Sequence, residues 1–500
     1  MCGIACIYGK NPSEETLLGI LDTFKHRGDR NREYTILESC ALGTNRLAIT
    51  DRERATQPIS SEDGTVFVIF NGEIYNHKEL RSELANHTFK TNSDTEVLVH
   101  GYEEWGSNIC NKLDGKFAFV IYDKKTNSLF AASDPFGIKP FYYTHVKDSL
   151  VFSSEVKGLV PLDCEEVYQL NPGHYFQNGK QEQYFKLAEG FYDQNLESIK
   201  NKIRSLFEDA VKKRVQTDLP IAVFLSGGID SSLVLKYAKQ YHPHVTAFCV
   251  GEETASDLKF AKIAANYVGV PLKVFNPRDI NVPDELERFI YTGETFEPNI
   301  INNIGYSYYV AKMAHDQGIK IALVGEGSDE IFAGYSEFAS MKDQDVLQKT
   351  MLRYITFLHR TQLQRVDRGS MAHQVEARVP FLDRKLVEYV MTIDPTLKVC
   401  NNITKWILRE AFRGVLPKEI IDREKVPFPV GVGAPRKEFE KDIYRATAEK
   451  NLSDQDLVTL QSAHPEYKLE AKDEAYYFSI YKKYFLKAKF NQERIPVKAR

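Results

Sequence analysis

The run Ile221-Ala222-Val223-Phe224-Leu225 passes straight into Ser226-Gly227-Gly228-Ile229-Asp230-Ser231-Ser232, and this junction restricts the architecture more than any other stretch. An uninterrupted apolar run of that length reads as a strand buried on both faces, as in parallel sheets. The glycines supply a turn, and the residues after them open a helix. Backbone N–H groups and the helix dipole make such a strand–turn–helix junction an anion site. No lysine follows the second glycine, so the pattern is not G-x-x-x-x-G-K-[ST], and it is not G-x-G-x-x-G either. The plain alternative is an ordinary strand-to-helix turn.

The neighbourhood keeps alternating. A helix (Ser232–Tyr241), a strand (Val245–Val250), a helix (Asp257–Val268) and a strand (Leu272–Phe275) are predicted in turn, with a later strand at Ile319–Val324. Leu196, Ile199, Ile203, Phe207 and Val211 recur at helical spacing before the first strand. Such alternation predicts a parallel sheet covered by helices. The chain beyond about residue 345 reads as mainly helical. The part before residue 185 is different in texture. Strands are predicted at Val66–Phe70, Phe117–Tyr122, Leu129–Ser133, Phe141–Thr144 and Leu150–Ser153, with helices near Lys78–Ala85 and Asp94–Glu104. The polar stretch Glu182–Asn195 separates the two textures, so an α+β domain over 1–190 and an α/β domain over 191–500 are expected.

A chain of 500 residues exceeds what one core usually organises. Lys+Arg 65 against Asp+Glu 69 gives a net charge of −4, which excludes nucleic-acid binding through a general basic surface. No apolar run approaches the roughly 20 residues of a membrane helix. The start MCGIACIYGK lacks a basic segment followed by an apolar one, so no secretory signal is expected. The seven cysteines are scattered without a C-x-x-C pair, which suits a reducing cytoplasm and not a disulfide or zinc framework.

Cys2 stands directly after Met1. Removal of Met1 would give one residue both a thiol and an α-amine of pKa near 8, nucleophile and base together. Polar residues at element ends suit an amino-acid substrate: Arg46 for an α-carboxylate, Asp94 for an α-ammonium, Asn71 and Gly72 for a developing oxyanion. Asn71-Gly72 also reads as a simple hairpin turn.

MCGI at the start, NGEIYNH at 71–77, SDTE at 93–96 and DPFGIKP at 134–140 resemble the class II glutamine amidotransferases, in particular the glutaminase domain of the asparagine synthetase B family. The resemblance implies an N-terminal-nucleophile hydrolase fold, an αββα sandwich. It implies that Cys2 attacks the glutamine amide and releases ammonia. Arg46, Glu73 and Asp94 would hold the glutamine, and Asn71 and Gly72 would form the oxyanion hole. SGGIDSS resembles the loop of ATP pyrophosphatases. That implies ATP phosphates at Ser226, Gly227, Gly228, Asp230, Ser231 and Ser232, adenine and ribose near Leu225 and Val250, and Mg²⁺ on Asp230.

Val324-Gly325-Glu326-Gly327-Ser328-Asp329-Glu330 resembles the family's SGEGSDE segment. By that match Val324 and Gly325 lie near the nucleotide, Glu326 supports acyl-adenylate formation and Asp329 joins Asp230 on Mg²⁺. The family's leading Ser is Val324 here, and its following G-G-Y is Ala333-Gly334-Tyr335. Lys425, ahead of Phe428 and Gly431-Val432-Gly433, matches a phosphate-binding lysine, with a surface lysine as the alternative. Glu376 and Arg378 read as a structural ion pair.

The implied reaction is glutamine-dependent amidation of a carboxylic acid activated as acyl-AMP, with ammonia passing through an internal tunnel. At the family's acceptor-binding arginine this chain has Asn302, so a carboxylic acid other than aspartate is a rival acceptor. An ATP-dependent cyclase or transferase with an inactive glutaminase domain, and a non-catalytic protein on the same fold, are the other readings. Expected partners are the small-molecule substrates and a second copy in a homodimer, with no nucleic acid and no membrane.

Overall fold

The computed structural model describes residues 2–164, 166–188, 190, 195–426, 431–432, 440–485 and 489–490. Met1, Phe428 and Gly433 of the sequence reading therefore lie outside the described residues. The chain divides into two compact units, one over Met1–Lys186 and one over Leu187–Tyr481, with Lys489–Phe490 returning to the first.

In the first unit the strands are β1 (Gly3–Tyr8), β2 (Glu33–Ile36), β3 (Cys40–Asn45), β4 (Ile59–Ser60), β5 (Val66–Ile74), β6 (Gly115–Asp123), β7 (Ser128–Ser133), β8 (Tyr142–Val146), β9 (Ser149–Ser153), β10 (Glu166–Gln169), β11 (His174–Gln177) and β12 (Lys180–Gln183). Its helices are α1 (Glu14–Thr23), α2 (His77–Glu83), α3 (Glu96–Trp105) and α4 (Ile109–Lys112). One sheet has the order β10-β8-β9-β1-β3-β2, with Lys489–Phe490 parallel beside β10, and the other β12-β11-β7-β6-β5-β4.

Strand alternation explains why the sheets stack. Ile69 of β5 and Ala118 and Val120 of β6 face Ile4, Cys6, Leu42 and Phe152 of the other sheet. Their neighbours Val68, Phe70, Phe117 and Phe119 point the opposite way, onto Leu80, Leu84, Val97, Leu98 and Ile109 of α2, α3 and α4. Both faces are buried, which is why these strands read as continuous apolar runs. Leu17 and Leu21 of α1 cover the first sheet at Gly43, where a Cβ would stand 2.8 Å from the Leu21 side chain. The result is the αββα sandwich expected from the resemblance. Asn178-Gly179 turns the chain from β11 into β12, both residues at positive φ (53° and 80°).

The second unit carries a parallel sheet of five strands, β13 (Ile221–Phe224), β14 (Val245–Val250), β15 (Leu272–Phe275), β16 (Ile321–Leu323) and β17 (Glu376–Arg378), in the order β15-β14-β13-β16-β17. Helices α5 (Leu196–Arg214), α6 (Ile229–Tyr241), α7 (Ser256–Val268), α8 (Val282–Gly293) and α9 (Pro298–His315) connect and cover it. β17 is a strand within the mainly helical segment beyond residue 345. It is an edge strand whose ends are charged, so no apolar run announces it. The ion pair read from sequence is there: Arg378 Nε donates to Glu376 Oε1 at 2.7 Å, both side chains 1% exposed.

Lys398 is fully buried, its ammonium nearest the Met391 sulfur at 3.9 Å. Burial lowers its pKa to about 7. Between pH 7 and the unfolded value near 10.4 the folded state therefore binds fewer protons than the unfolded state, so the destabilisation is full below pH 7 and fades as pH rises. Lys398→Met should raise unfolding stability at pH 7 by roughly 1–4 kcal/mol, with a smaller gain at pH 9.5. Denaturant titrations at the two pH values check this, and an unchanged or lowered stability at pH 7 contradicts it.

Candidate active sites

In the first unit, β1 and β3 pair antiparallel with Gly3 opposite Asn45, so Cys2 and Arg46 continue the ladder side by side. Cys2 is buried at 7% exposure. Burial pushes its thiol up, against the pull of the Leu47 backbone N–H and the Arg46 guanidinium. The Cys2 carbonyl accepts from Arg27 Nε at 3.2 Å, and Arg27 is itself held by Glu155 at 2.7 Å in a pair with no solvent exposure.

Arg46 donates to the carbonyls of Thr50, Asp51 and Arg52 at 3.1, 2.9 and 3.2 Å. A guanidinium has five N–H groups, so the loop fixes the fork and leaves donors for a ligand. Thr50 Oγ1 donates to Glu73 Oε1 at 3.3 Å. Asp94 Oδ2 accepts from the Ile74 N–H at 2.9 Å, and Asn92 N–H donates to Asp51 Oδ2 at 2.7 Å. These bonds draw Arg46, Glu73 and Asp94 into one neighbourhood at the end of β5.

Asn71 and Gly72 lie inside β5, opposite Ala118 and Phe117 of β6, which removes the hairpin-turn alternative. A Cβ at Gly72 would stand 2.1 Å from the Lys116 carbonyl oxygen, so only glycine fits. Asn71 is completely buried, and neither its Oδ1 nor its Nδ2 has a hydrogen-bond partner among the described residues. Leaving such an amide unpaired costs about 1–3 kcal/mol, a cost expected where a ligand supplies the partner. Asp134 is the opposite case. Its buried carboxylate accepts from the N–H groups of Phe117, Phe136, Ile138 and Lys139 at 3.0–3.1 Å, so the DPFGIKP segment is folded around it.

In the second unit, Leu225, Val250 and Val324 stand at the C-terminal ends of β13, β14 and β16, the side where open parallel sheets take ligands. Gly228 caps α6, with Ser226 Oγ and Ser231 Oγ 3.2 Å apart behind it. Gly227 has φ 70°, and a Cβ there would meet the backbone of α7 at 2.3 Å. Ser232 Oγ is buried without a partner in the protein. The 324–330 loop packs on this turn: a Cβ at Gly325 would lie 3.3 Å from the Ser231 nitrogen.

Asp230 and Asp329 converge on one ammonium. Lys405 Nζ lies 2.5 Å from Asp230 Oδ2 and 2.7 Å from Asp329 Oδ1. Lys425 Nζ is 2.5 Å from Asp329 Oδ2, and Ser328 Oγ donates to Asp230 Oδ1 at 2.6 Å. Although burial alone would raise it, the two lysines hold the Asp329 carboxyl well below the usual range. Lys425 is therefore paired within the site and is not a free surface lysine. Glu326 bonds Arg365 at 3.0 Å, and burial pushes its carboxyl up. The paired hard carboxylates suit Mg²⁺.

Lys405, Arg365, Arg27 and Arg423 escape sequence reasoning. Lys405 is a lone lysine far along the chain, and only the fold carries it to Asp230. Arg423 donates to the Ser226 carbonyl at 3.1 Å and pairs with Asp257. It stands two residues before the lysine that the motif match singles out. Asn302 accepts from the Tyr477 hydroxyl at 2.9 Å and lines a small cavity with Ile280, Gly305, Tyr306 and Tyr444.

Residues 1–195 match the family described as a glutamine amidotransferase domain, and residues 202–345 and 337–479 match asparagine synthase. The chain is 36% identical to asparagine synthetase [glutamine-hydrolyzing] 2 of Arabidopsis thaliana, over 98% of this chain and 88% of that one. It is 35% identical to the asparagine synthetase [glutamine-hydrolyzing] of Sandersonia aurantiaca, over 97% and 96% of the two chains. A third relative, asparagine synthetase [glutamine-hydrolyzing] 2 of Oryza sativa subsp. japonica, is 35% identical over 99% and 87%.

Lys405→Met removes the cation between the two aspartates. The thermal midpoint should fall, with a stability loss smaller than the about 3–5 kcal/mol of a fully buried pair, because Asp230 and Asp329 keep 16% and 20% exposure. Millimolar Mg²⁺ should restore more of the midpoint in the variant than it adds to the parent chain. An equal Mg²⁺ response in both contradicts the assignment of this carboxylate pair to a divalent cation.

Proposed function

The chain belongs to the family of glutamine-hydrolysing asparagine synthetases, and from that premise we propose that it makes asparagine from aspartate, glutamine and ATP. Glutamine is hydrolysed in the first unit, and aspartate is adenylated and amidated in the second. The observation that carries the reading is the unpartnered, buried amide of Asn71 beside Gly72 in the unit that holds Cys2.

Loss of Met1 gives Cys2 its α-amine. The thiol, raised by burial, passes its proton to that amine as sulfur attacks the glutamine amide carbon. Asn71 Nδ2 and the Gly72 N–H take the oxyanion. Arg46 holds the substrate carboxylate, Asp94 its ammonium, and Glu73 borders the same pocket. Ammonia leaves, and water hydrolyses the thioester to glutamate.

In the second unit, the phosphates of ATP rest on Ser226, Gly227, Gly228, Ser231 and Ser232, and the nucleoside on Leu225, Val250, Val324 and Gly325. Asp230 and Asp329 would hold Mg²⁺, which offsets phosphate charge. The aspartate side-chain carboxylate attacks the α-phosphorus and pyrophosphate departs, with Glu326 beside the reacting acid and Lys425 countering charge on phosphorus. Ammonia then displaces AMP from the acyl carbon. Free ammonia at neutral pH is mostly protonated, so an internal dry passage keeps it reactive, an ion being heavily penalised there. Asn302, tied to Tyr477, brings no cation to the acceptor carboxylate, so that clamp falls to other residues. The enzyme is read as a cytoplasmic homodimer; among the described residues no helix is long and apolar enough to cross a membrane.

Cys2→Ala should lose glutamine-dependent asparagine formation and keep ammonium-dependent formation, with AMP released in both chains. Asn71→Ala should lower glutamine hydrolysis about 100–1,000-fold. Release of AMP and pyrophosphate, followed over a panel of carboxylic acids, checks the acceptor. A folded Cys2→Ala chain that makes no AMP from aspartate with excess ammonium overturns the reading, and AMP from a different acid reassigns the acceptor alone.

A further inference from the structure

A second group of chemically active side chains lies in the first unit, where the glutamine chemistry makes no use of it. Glu62 follows β4, His87 follows α2, and His100 and Glu103 stand three residues apart on α3, on one face. Glu62 Oε1 is 3.4 Å from His87 Nδ1, and Glu62 Oε2 is 3.4 Å from His100 Nδ1. Glu103 Oε2 is 3.7 Å from His87 Nδ1 and 3.3 Å from His100 Nδ1. One ligand atom from each of the four residues falls within 4.8 Å of all the others.

Ligands about 2.0–2.2 Å from a common ion sit about 3.3–3.6 Å apart at tetrahedral corners. Three of the four nitrogen–oxygen separations fall in that range and the fourth is 3.7 Å, with Glu62 facing the two rings through its two oxygens. The outer nitrogen of His87 supplies independent support. His87 Nε2 meets Glu104 Oε1 at 3.0 Å. A carboxylate on the far nitrogen keeps the proton there and turns the Nδ1 lone pair inward, the arrangement metal-bound histidines have.

The rings are also held in place. They lie 4.6 Å apart, and Phe89 packs edge-on against His100 at 4.7 Å. The Thr88 N–H donates to Glu62 Oε1 at 2.7 Å. His100 is 1% exposed, whereas Glu62 and Glu103 keep 35% and 23%, which leaves a route of entry.

We propose that Glu62, His87, His100 and Glu103 form a structural site for a zinc-type divalent cation. Two imidazoles and two carboxylates favour zinc over the all-oxygen preference of magnesium and calcium. Four protein ligands close the coordination shell, so the ion's task is to tie the chain after β4 and the chain after α2 to α3. Glu96, 3.8 Å from His100 Nε2, opens α3 and accepts the N–H groups of Lys90 and Thr91 at 2.7 and 2.8 Å. It thus links the cation to the loop that carries Asp94.

The test uses the full chain, stripped of metal by a chelator and titrated with Zn²⁺ against a chromogenic competitor, with Co²⁺ as a spectroscopic probe. One zinc per chain is expected, with His87→Gln/Glu103→Gln losing it and Glu104→Gln binding about 10–100-fold more weakly. Cobalt in the parent chain should give the intense visible bands of four-coordination without thiolate charge-transfer absorption, a result that depends on no variant. Absence of stoichiometric zinc, zinc affinity unchanged in the double variant, or a pale six-coordinate or thiolate-bound cobalt spectrum overturns the proposal.

Discussion

Two aspartates that end neighbouring parallel strands share one buried ammonium, and the local design of the second unit follows from that contact. Asp230 stands in the first turn of α6 after β13 and Asp329 in the short helix Ser328–Ile331 after β16, and Lys405 lies between them. Without a cation, like charges this close would drive one carboxyl to protonate. The glycines around them are required by the same approach. A Cβ at Gly334 would stand 2.0 Å from Asp329 Oδ1 and 2.2 Å from Lys405 Cε. Ala333 adopts φ 54° and carries the strain that a glycine would avoid.

The first unit shows the complementary rule. Two of its buried carboxylates are tightly held by donors, and its reaction centre contains an amide that is not. Asp134 accepts four backbone N–H groups, and Glu155 accepts from Arg27 and Lys157, all without exposure to water for the carboxylates. Asn71, equally buried, has no hydrogen-bond partner among the described residues. A buried amide left open on β5 is available to a substrate.

Much of this was legible in the residues, for physical reasons. The strands β5, β6 and β7 are buried on both faces, so their composition alone marks them. β5 runs on through Asn71-Gly72-Glu73, where polar residues conceal its continuation. β17 is hidden for a similar reason, since its two charged residues neutralise each other out of water. Motif spacing exposes Asp230, Glu326 and Asp329 because each sits near a glycine at a strand end. Lys405, Arg365 and Arg27 carry no such local mark. Each is an isolated cation whose partner is distant in sequence, and only the folded chain reveals the pair. The zinc-type cluster escapes in the same way, because its four ligands come from three separate segments.

The central claim is that the aspartate cluster beyond the C-terminal ends of β13 and β16 serves adenylation of an acid, with the acid's carboxylate oxygen becoming bonded to phosphorus. Aspartate labelled with ¹⁸O in its side-chain carboxylate, turned over with glutamine and ATP, tests this directly by mass spectrometry of the nucleotide product. The account predicts one ¹⁸O atom in AMP for each asparagine formed, with unlabelled pyrophosphate. Unlabelled AMP, or ADP with labelled phosphate, would contradict it.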